Sequence, residues 1–115
     1  MSKNKAKGTA FETDIVRYLR EFGFPYAERR ALAGVHDLGD ITGTSPALVW
    51  ECKNHQTLKL SEWLVETEVE RYNAGADYGI LVAKRRGKSY PGEQYAIMTL
   101  SSLVQLLVEA GYGVP

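Results

Sequence analysis

The chain reads as an α/β domain, a small mixed β-sheet flanked by helices. Two apolar runs, Ala47-Leu48-Val49-Trp50 and Ile80-Leu81-Val82-Ala83, have the length and composition of buried strands. A helical stretch from Ser61 to about Gly75 lies between them, and further helical stretches stand near both ends. The order helix, strands, helix, strands, helix is that of an α/β layer architecture.

Taken in order, Met1 to Gly8 is lysine-rich and reads as a flexible basic arm, which leaves residues 9–115 as one domain. It has no apolar core and so is not a secretory signal. Thr9-Ala10-Phe11-Glu12 has capping-box spacing and starts a helix that Gly23 ends. Phe11, Ile15, Tyr18, Leu19 and Phe22 form its apolar stripe. Glu12 lies beside Val16 and Leu19, at the border of that stripe. There it either caps the helix or faces a site. Arg17 and Arg20, on the other side, are placed to meet phosphates. Phe24 to Leu32 becomes extended after Pro25, with Arg29 and Arg30 on opposite faces. Ala33 to Asp37 is a loop, and its His36-Asp37 pair is either an ordinary polar pair or a metal or proton-transfer group.

Asp40-Ile41 and Leu48 to Lys53 read as neighbouring strands of a hairpin, turned by Gly43 and Ser45-Pro46. After Lys53 the chain leaves the sheet through Asn54 and His55, where His55 is a strand-end polar residue or a substrate contact. Ser61 is placed to cap the second helix. Its packing side is Leu64, Val65, Val69 and Tyr72, with Trp63 filling the core or an interface. Glu62, Glu66 and Glu70 recur at helical spacing and read as a solvated face or a partner surface. Asp77 to Ala83 is the second buried strand. It runs into Lys84-Arg85-Arg86-Gly87-Lys88 and the turn Pro91-Gly92. Glu93 to Thr99 is a further strand. Ser101 or Ser102 starts the last helix, with Leu103, Leu106, Leu107 and Ala110 inward and Gly111 as its stop.

The chemistry concentrates at the end of the first buried strand. Side chains alternate along a strand, so Val49, Glu51 and Lys53 share one face and Leu48, Trp50 and Cys52 the other. An acid and a base at the end of an apolar strand are costly to bury unless they pair or meet a ligand. The hairpin brings Asp40 near Glu51. Two carboxylates and a lysine suit a hard divalent cation such as Mg²⁺, which takes one or two carboxylates and leaves other positions to water and phosphate. Asp37 is the rival carboxylate; Asp40 is preferred because it directly precedes an apolar strand residue.

Asp40, ten intervening residues, then Glu51-Cys52-Lys53 resembles the PD-(D/E)xK nuclease signature. With Lys7-Gly8-Thr9-Ala10-Phe11-Glu12 the chain is similar to the Holliday junction resolvase branch of that superfamily. The resemblance spans roughly Lys5 to Leu107 in motif and element order. Gly39 stands where the signature's loosely kept proline would be. The resemblance implies a restriction-endonuclease-like core and hydrolysis of phosphodiester bonds at four-way DNA junctions by a symmetric homodimer. It also implies Mg²⁺, for which Mn²⁺ substitutes, held by Asp40, Glu51, the Cys52 carbonyl and Glu12, with Lys53 orienting water or stabilising the phosphorane. Trp63 and the final helix are candidate pairing surfaces. Other nucleases on the same core and a non-catalytic DNA-binding or assembly subunit are the alternatives.

The 115 residues carry no formal net charge, which by itself does not favour a nucleic-acid partner. The distribution does. Lys3, Lys5, Lys7, Arg29 and Arg30 load one end with positive charge, and Lys84, Arg85, Arg86 and Lys88 form a second cluster. These are the expected phosphate contacts. One cysteine, Cys52, permits no internal disulfide and suits a reducing, cytoplasmic setting. No apolar run approaches the length of a membrane span. A small-molecule enzyme is disfavoured, because no nucleophile–base pair or glycine-rich phosphate loop is present. Size and resemblance together suit a phage or mobile element acting in its host.

Overall fold

A computed structural model describes residues 3–31 and 37–114. The elements run α1 (Lys3–Glu21), β1 (Glu28–Arg29), β2 (Ile41–Thr42), β3 (Leu48–Lys53), α2 (Leu60–Ala74), β4 (Tyr78–Ala83), a short 3₁₀ turn (Pro91–Glu93), β5 (Tyr95–Ile97) and α3 (Leu100–Glu109). The five strands form one sheet in the order β1-β2-β3-β4-β5. β3 and β4 are parallel and joined through α2; the remaining neighbours are antiparallel. The expected α/β class with a mixed sheet and flanking helices is what the chain forms.

Both long strands occupy the middle of the sheet, as their near-continuous apolar character requires. The alternation of β3 divides the core. Trp50 and Cys52 pack with Phe11, Ile15, Val16 and Leu19 of α1, joined by Ile41, Ile80 and Val82. On the opposite face, Leu81 and Ala83 pack with Trp63 of α2 and with Ile97. Trp63 is therefore a core residue and not a pairing surface. The hairpin forms as expected, with Ile41 opposite Trp50.

Several elements depart from the pattern that hydrophobicity suggests. α1 begins at Lys3, so Lys3 to Gly8 of the expected basic arm are helical. Its lysines and Ala6 are good helix formers. Thr9 then lies inside the helix, and its carbonyl accepts the Thr13 hydroxyl at 2.9 Å, so the capping box is not formed. Val16 takes the buried place expected of Phe22, which is exposed. Among the described residues, the extended stretch around Arg29 pairs as a strand only at Glu28–Arg29. α2 starts at Leu60 without a side-chain cap from Ser61, and it ends at Gly75 in the left-handed conformation. β5 is shorter than the expected strand, because Pro91–Glu93 form the 3₁₀ turn.

The largest departures are in the helix faces. α2 buries Trp63, Thr67 and Glu70 and leaves Val65, Val69 and Tyr72 outside. In α3, capped by the Thr99 hydroxyl accepting the Ser102 N–H at 3.2 Å, only Ser102 is buried. Leu103, Leu106, Leu107 and Ala110 are exposed, not inward.

One glycine fixes the entry into the hairpin. Gly39 has φ +95°, and a Cβ there would lie 2.8 Å from the Trp50 carbonyl oxygen and 2.9 Å from Val49 Cγ1. Proline, held near φ of about −65°, cannot take this conformation. That is the physical reason for glycine at the position where the resembled signature allows proline. Gly39→Ala is expected to cost about 1–3 kcal/mol in chemical denaturation, and Gly39→Pro more. Wild-type stability in the proline variant would show that Asp40 needs no such turn.

Candidate metal centre

β3 carries Glu51 and Lys53 on the face turned toward α2. Glu51 is only 6% exposed. Lys53 reaches Glu66 of α2, with Nζ 2.9 Å from Oε2. Burial works against the Lys53 charge, but Glu66 and Glu51 outweigh it and raise its pKa. Asp40 is set beside Glu51 by three hydrogen bonds. Its N–H donates to the Trp50 carbonyl at 2.7 Å, and its own carbonyl accepts the Arg30 N–H at 2.8 Å. Its Oδ2 accepts the Cys52 N–H at 2.7 Å. The Asp40 carboxylate is near enough to Glu51 to help raise its pKa.

Glu12 approaches from α1, on the other side of the sheet. Arg29 Nε donates to its Oε1 at 3.2 Å. Burial raises the Glu12 pKa, and Asp40 adds to the rise while Arg29 opposes it. The helix extends well before Glu12, so the cap reading does not apply to it. Glu12, Asp40, Glu51, Cys52 and Lys53 all line a single cleft, together with Lys7 and His55. The expected site residues thus converge from α1, the β2 hairpin and β3.

The basic residues have several fates. Lys3, Lys5 and Lys7 lie on exposed positions of α1. A groove lined by Lys84, Arg86 and Tyr95 shares Lys7 and His55 with the cleft. Lys84 Nζ donates to the Arg85 carbonyl at 2.9 Å and to the Lys88 carbonyl. The Arg85 guanidinium lies 5.7 Å from the centre of the Tyr95 ring, and Lys88 pairs with Glu93 at 3.6 Å. Arg29 is engaged by Glu12, and Arg30 is half-buried with its Nε unpartnered. Arg20 is structural, because its Nε donates to the Ala27 carbonyl at 2.6 Å. His55 packs its ring 5.2 Å from that of Trp63. His36 lies outside the described residues.

Glu70 is the residue that sequence reasoning missed. Read as part of a solvated acidic face, it is instead 2% exposed and turned to the sheet. Its carboxylate, that of Glu51 and that of Asp37 come within 4.8 Å of one another, close enough to hold a metal ion. The available signal was the spacing Trp63, Thr67, Glu70, which places the glutamate on the tryptophan's side of the helix. Carboxylate oxygens are hard donors, and this set fits a divalent cation of the Mg²⁺, Mn²⁺ or Ca²⁺ class. No family model, curated protein or solved structure matches the chain.

Burial pushes the Glu51 carboxyl far above the ordinary carboxylate range, and Asp40 and Glu70 act in the same direction. Burial also pushes Glu70 up to about 7 from an ordinary 4.5, with Asp37 contributing and the Glu51 contact opposing. Without metal, Glu51 and Glu70 therefore bind more protons in the folded protein than in the unfolded chain above pH 4.5. Stability from these groups is complete below that pH and is lost as pH rises through the folded values. In EDTA, the melting temperature is expected to fall by roughly 4 °C or more between pH 5 and pH 8. Glu70→Gln should flatten that fall. A melting temperature that rises over this range would contradict the buried carboxyl pair.

Proposed function

We propose that the chain is a Mg²⁺-dependent, structure-selective DNA endonuclease with a restriction-endonuclease-like core, acting on four-way junctions as a Holliday junction resolvase. The observation that carries this reading is the convergence of Glu12, Asp40, Glu51 and Lys53 on one cleft from separate elements. Residues far apart in sequence and split between the two faces of a sheet have no packing reason to meet there.

Asp40 and Glu51, with the Cys52 carbonyl and Glu12, would hold the Mg²⁺, and Mn²⁺ would substitute for it. When bound, the ion supplies Lewis-acid neutralisation of the phosphate and a water of lowered pKa. The other work falls to the chain itself. The Asp40 hydrogen bonds hold its carboxylate in place before any ligand arrives. Lys53 stays cationic beside Glu51, anchored by Glu66, and its ammonium orients the attacking water or steadies charge on the phosphorus. Arg29 holds Glu12 at the edge of the cleft.

Phosphate contacts come from the groove that adjoins the cleft, through Lys7, Lys84 and Arg86. Such contacts give affinity without base readout, and binding weakens steeply with salt. Cutting two strands of a junction requires two sites, hence a homodimer. The exposed apolar side chains of α2 and α3 support such a contact. The enzyme works inside the cell, where Cys52 stays reduced.

In Mg²⁺, the wild-type protein is expected to introduce paired, symmetric nicks in a four-way junction and to spare a linear duplex of the same arms. Lys53→Ala and Asp40→Asn should each lower the rate on the order of 10²–10⁴-fold while leaving binding near wild type. Cleavage of both substrates would leave a metal nuclease without junction selectivity. Binding with no cleavage in either Mg²⁺ or Mn²⁺ would leave a non-catalytic DNA-binding subunit.

A further inference from the structure

We propose that Asp37, Glu51 and Glu70 form a second divalent-cation position, under α2 and distinct from the Asp40–Glu12 side of the cleft, with Glu51 shared between the two. As a cation site this stands on its own geometry; a part in cleavage rests on the nuclease reading above.

The first observation is the convergence itself. Carboxylate oxygens from the loop before β2, from β3 and from α2 lie within 4.8 Å of one another. That spacing suits ligands around one ion. The second is independent of the count of acids. Glu70 is 2% exposed, and its Oε2 is buried with no hydrogen-bond partner. A buried carboxylate oxygen is ordinarily satisfied, and leaving one unmade is expensive. Among the described residues, the two cations nearest in the fold are engaged elsewhere, Lys53 by Glu66 and Arg71 by Glu68.

The surroundings hold the third ligand where an ion needs it. Asn73, one turn beyond Glu70 on α2, donates from Nδ2 to the Asp37 carbonyl at 3.3 Å. The Gly39 N–H donates to Asp37 Oδ1 at 3.0 Å. Asp37 is thus tied to α2 on one side and to the hairpin on the other. It is also the exposed member of the set, which leaves a way in for a hydrated ion while Glu51 and Glu70 wait inside. Oxygen-only donors select Mg²⁺, Mn²⁺ or Ca²⁺ over softer metals.

The test is Mn²⁺ binding to the full chain, followed by calorimetry and by the electron paramagnetic signal of free Mn²⁺, with no DNA present. The wild type is expected to take two ions. Glu70→Gln, which keeps the side-chain shape, should take one, with the other site's affinity retained. Asp37→Asn, at an exposed position, should weaken the same ion by at least about tenfold and serves if Glu70→Gln fails to fold. Asp40→Asn should retain the triad's ion. Two ions in all variants, or a single ion in the wild type, would overturn the second position. Because no cleavage is read, the two readings fail separately. Two ions without nuclease activity would sink only the proposed function, and one ion with junction cleavage would sink only this site.

Discussion

A carboxylate buried inside the sheet is the constraint on which the rest of this structure depends. Glu51 sits on a central strand, 6% exposed, with Asp40 beside it and Glu70 above it. Charge in that position is costly unless something of opposite sign or a proton joins it. Neighbouring elements are arranged around that cost. Asp40 is locked by hydrogen bonds to Arg30, Trp50 and Cys52. Lys53, two residues along the same face, is engaged by Glu66. The helix that covers this face buries Trp63, Thr67 and one acid, Glu70, where an ordinary α/β helix would bury mainly aliphatic side chains.

Much of this was legible in the sequence, for a reason that can be stated. Strand periodicity is strict, so an acid and a lysine two residues apart must share a face, and Glu51 and Lys53 do. Turn residues between Asp40 and Leu48 predicted the hairpin, and its register follows. Glu12 at the border of an apolar stripe was placed correctly by the 3.6-residue period. What failed was the rotation of α2. Reading a helix face from hydrophobicity presumes that the buried side is the apolar one. Here the surface under α2 carries Glu51 and Lys53 beside apolar Val49, Leu81 and Ala83, so Glu70 and Thr67 go in with Trp63 while Val65, Val69 and Tyr72 stay out. The strand's own polar end was the clue. A face that carries Glu51 and Lys53 needs a cover able to answer both.

The zero net charge of the chain conceals a separation of kinds of surface. Acids gather in the cleft and beneath α2, whereas Lys7, Lys84 and Arg86 line the groove that continues from the cleft. Short-range geometry therefore matters more than the sum. A phosphate held in the groove would lie beside carboxylates that repel it unless a cation stands between them. Under the proposed function, the basic groove and the acidic cleft would act together, as anion site and cation site of one substrate path.

The inverted polarity of α2 has a consequence on its outer side. A helix that turns Trp63, Thr67 and Glu70 to the sheet must leave its remaining apolar residues elsewhere, and Val65, Val69 and Tyr72 lie exposed beside the Thr99 cap of α3. α3 adds exposed Leu100, Leu103, Val104, Leu106 and Leu107. An apolar surface of this kind marks an interaction site more often than a solvated one. The two features are opposite sides of one element. In the homodimer proposed above, a second copy seated on this surface would press on the back of the helix that carries Glu66 and Glu70. Pairing and the geometry of the carboxylate cluster would then be coupled through α2, without any loop or hinge between them.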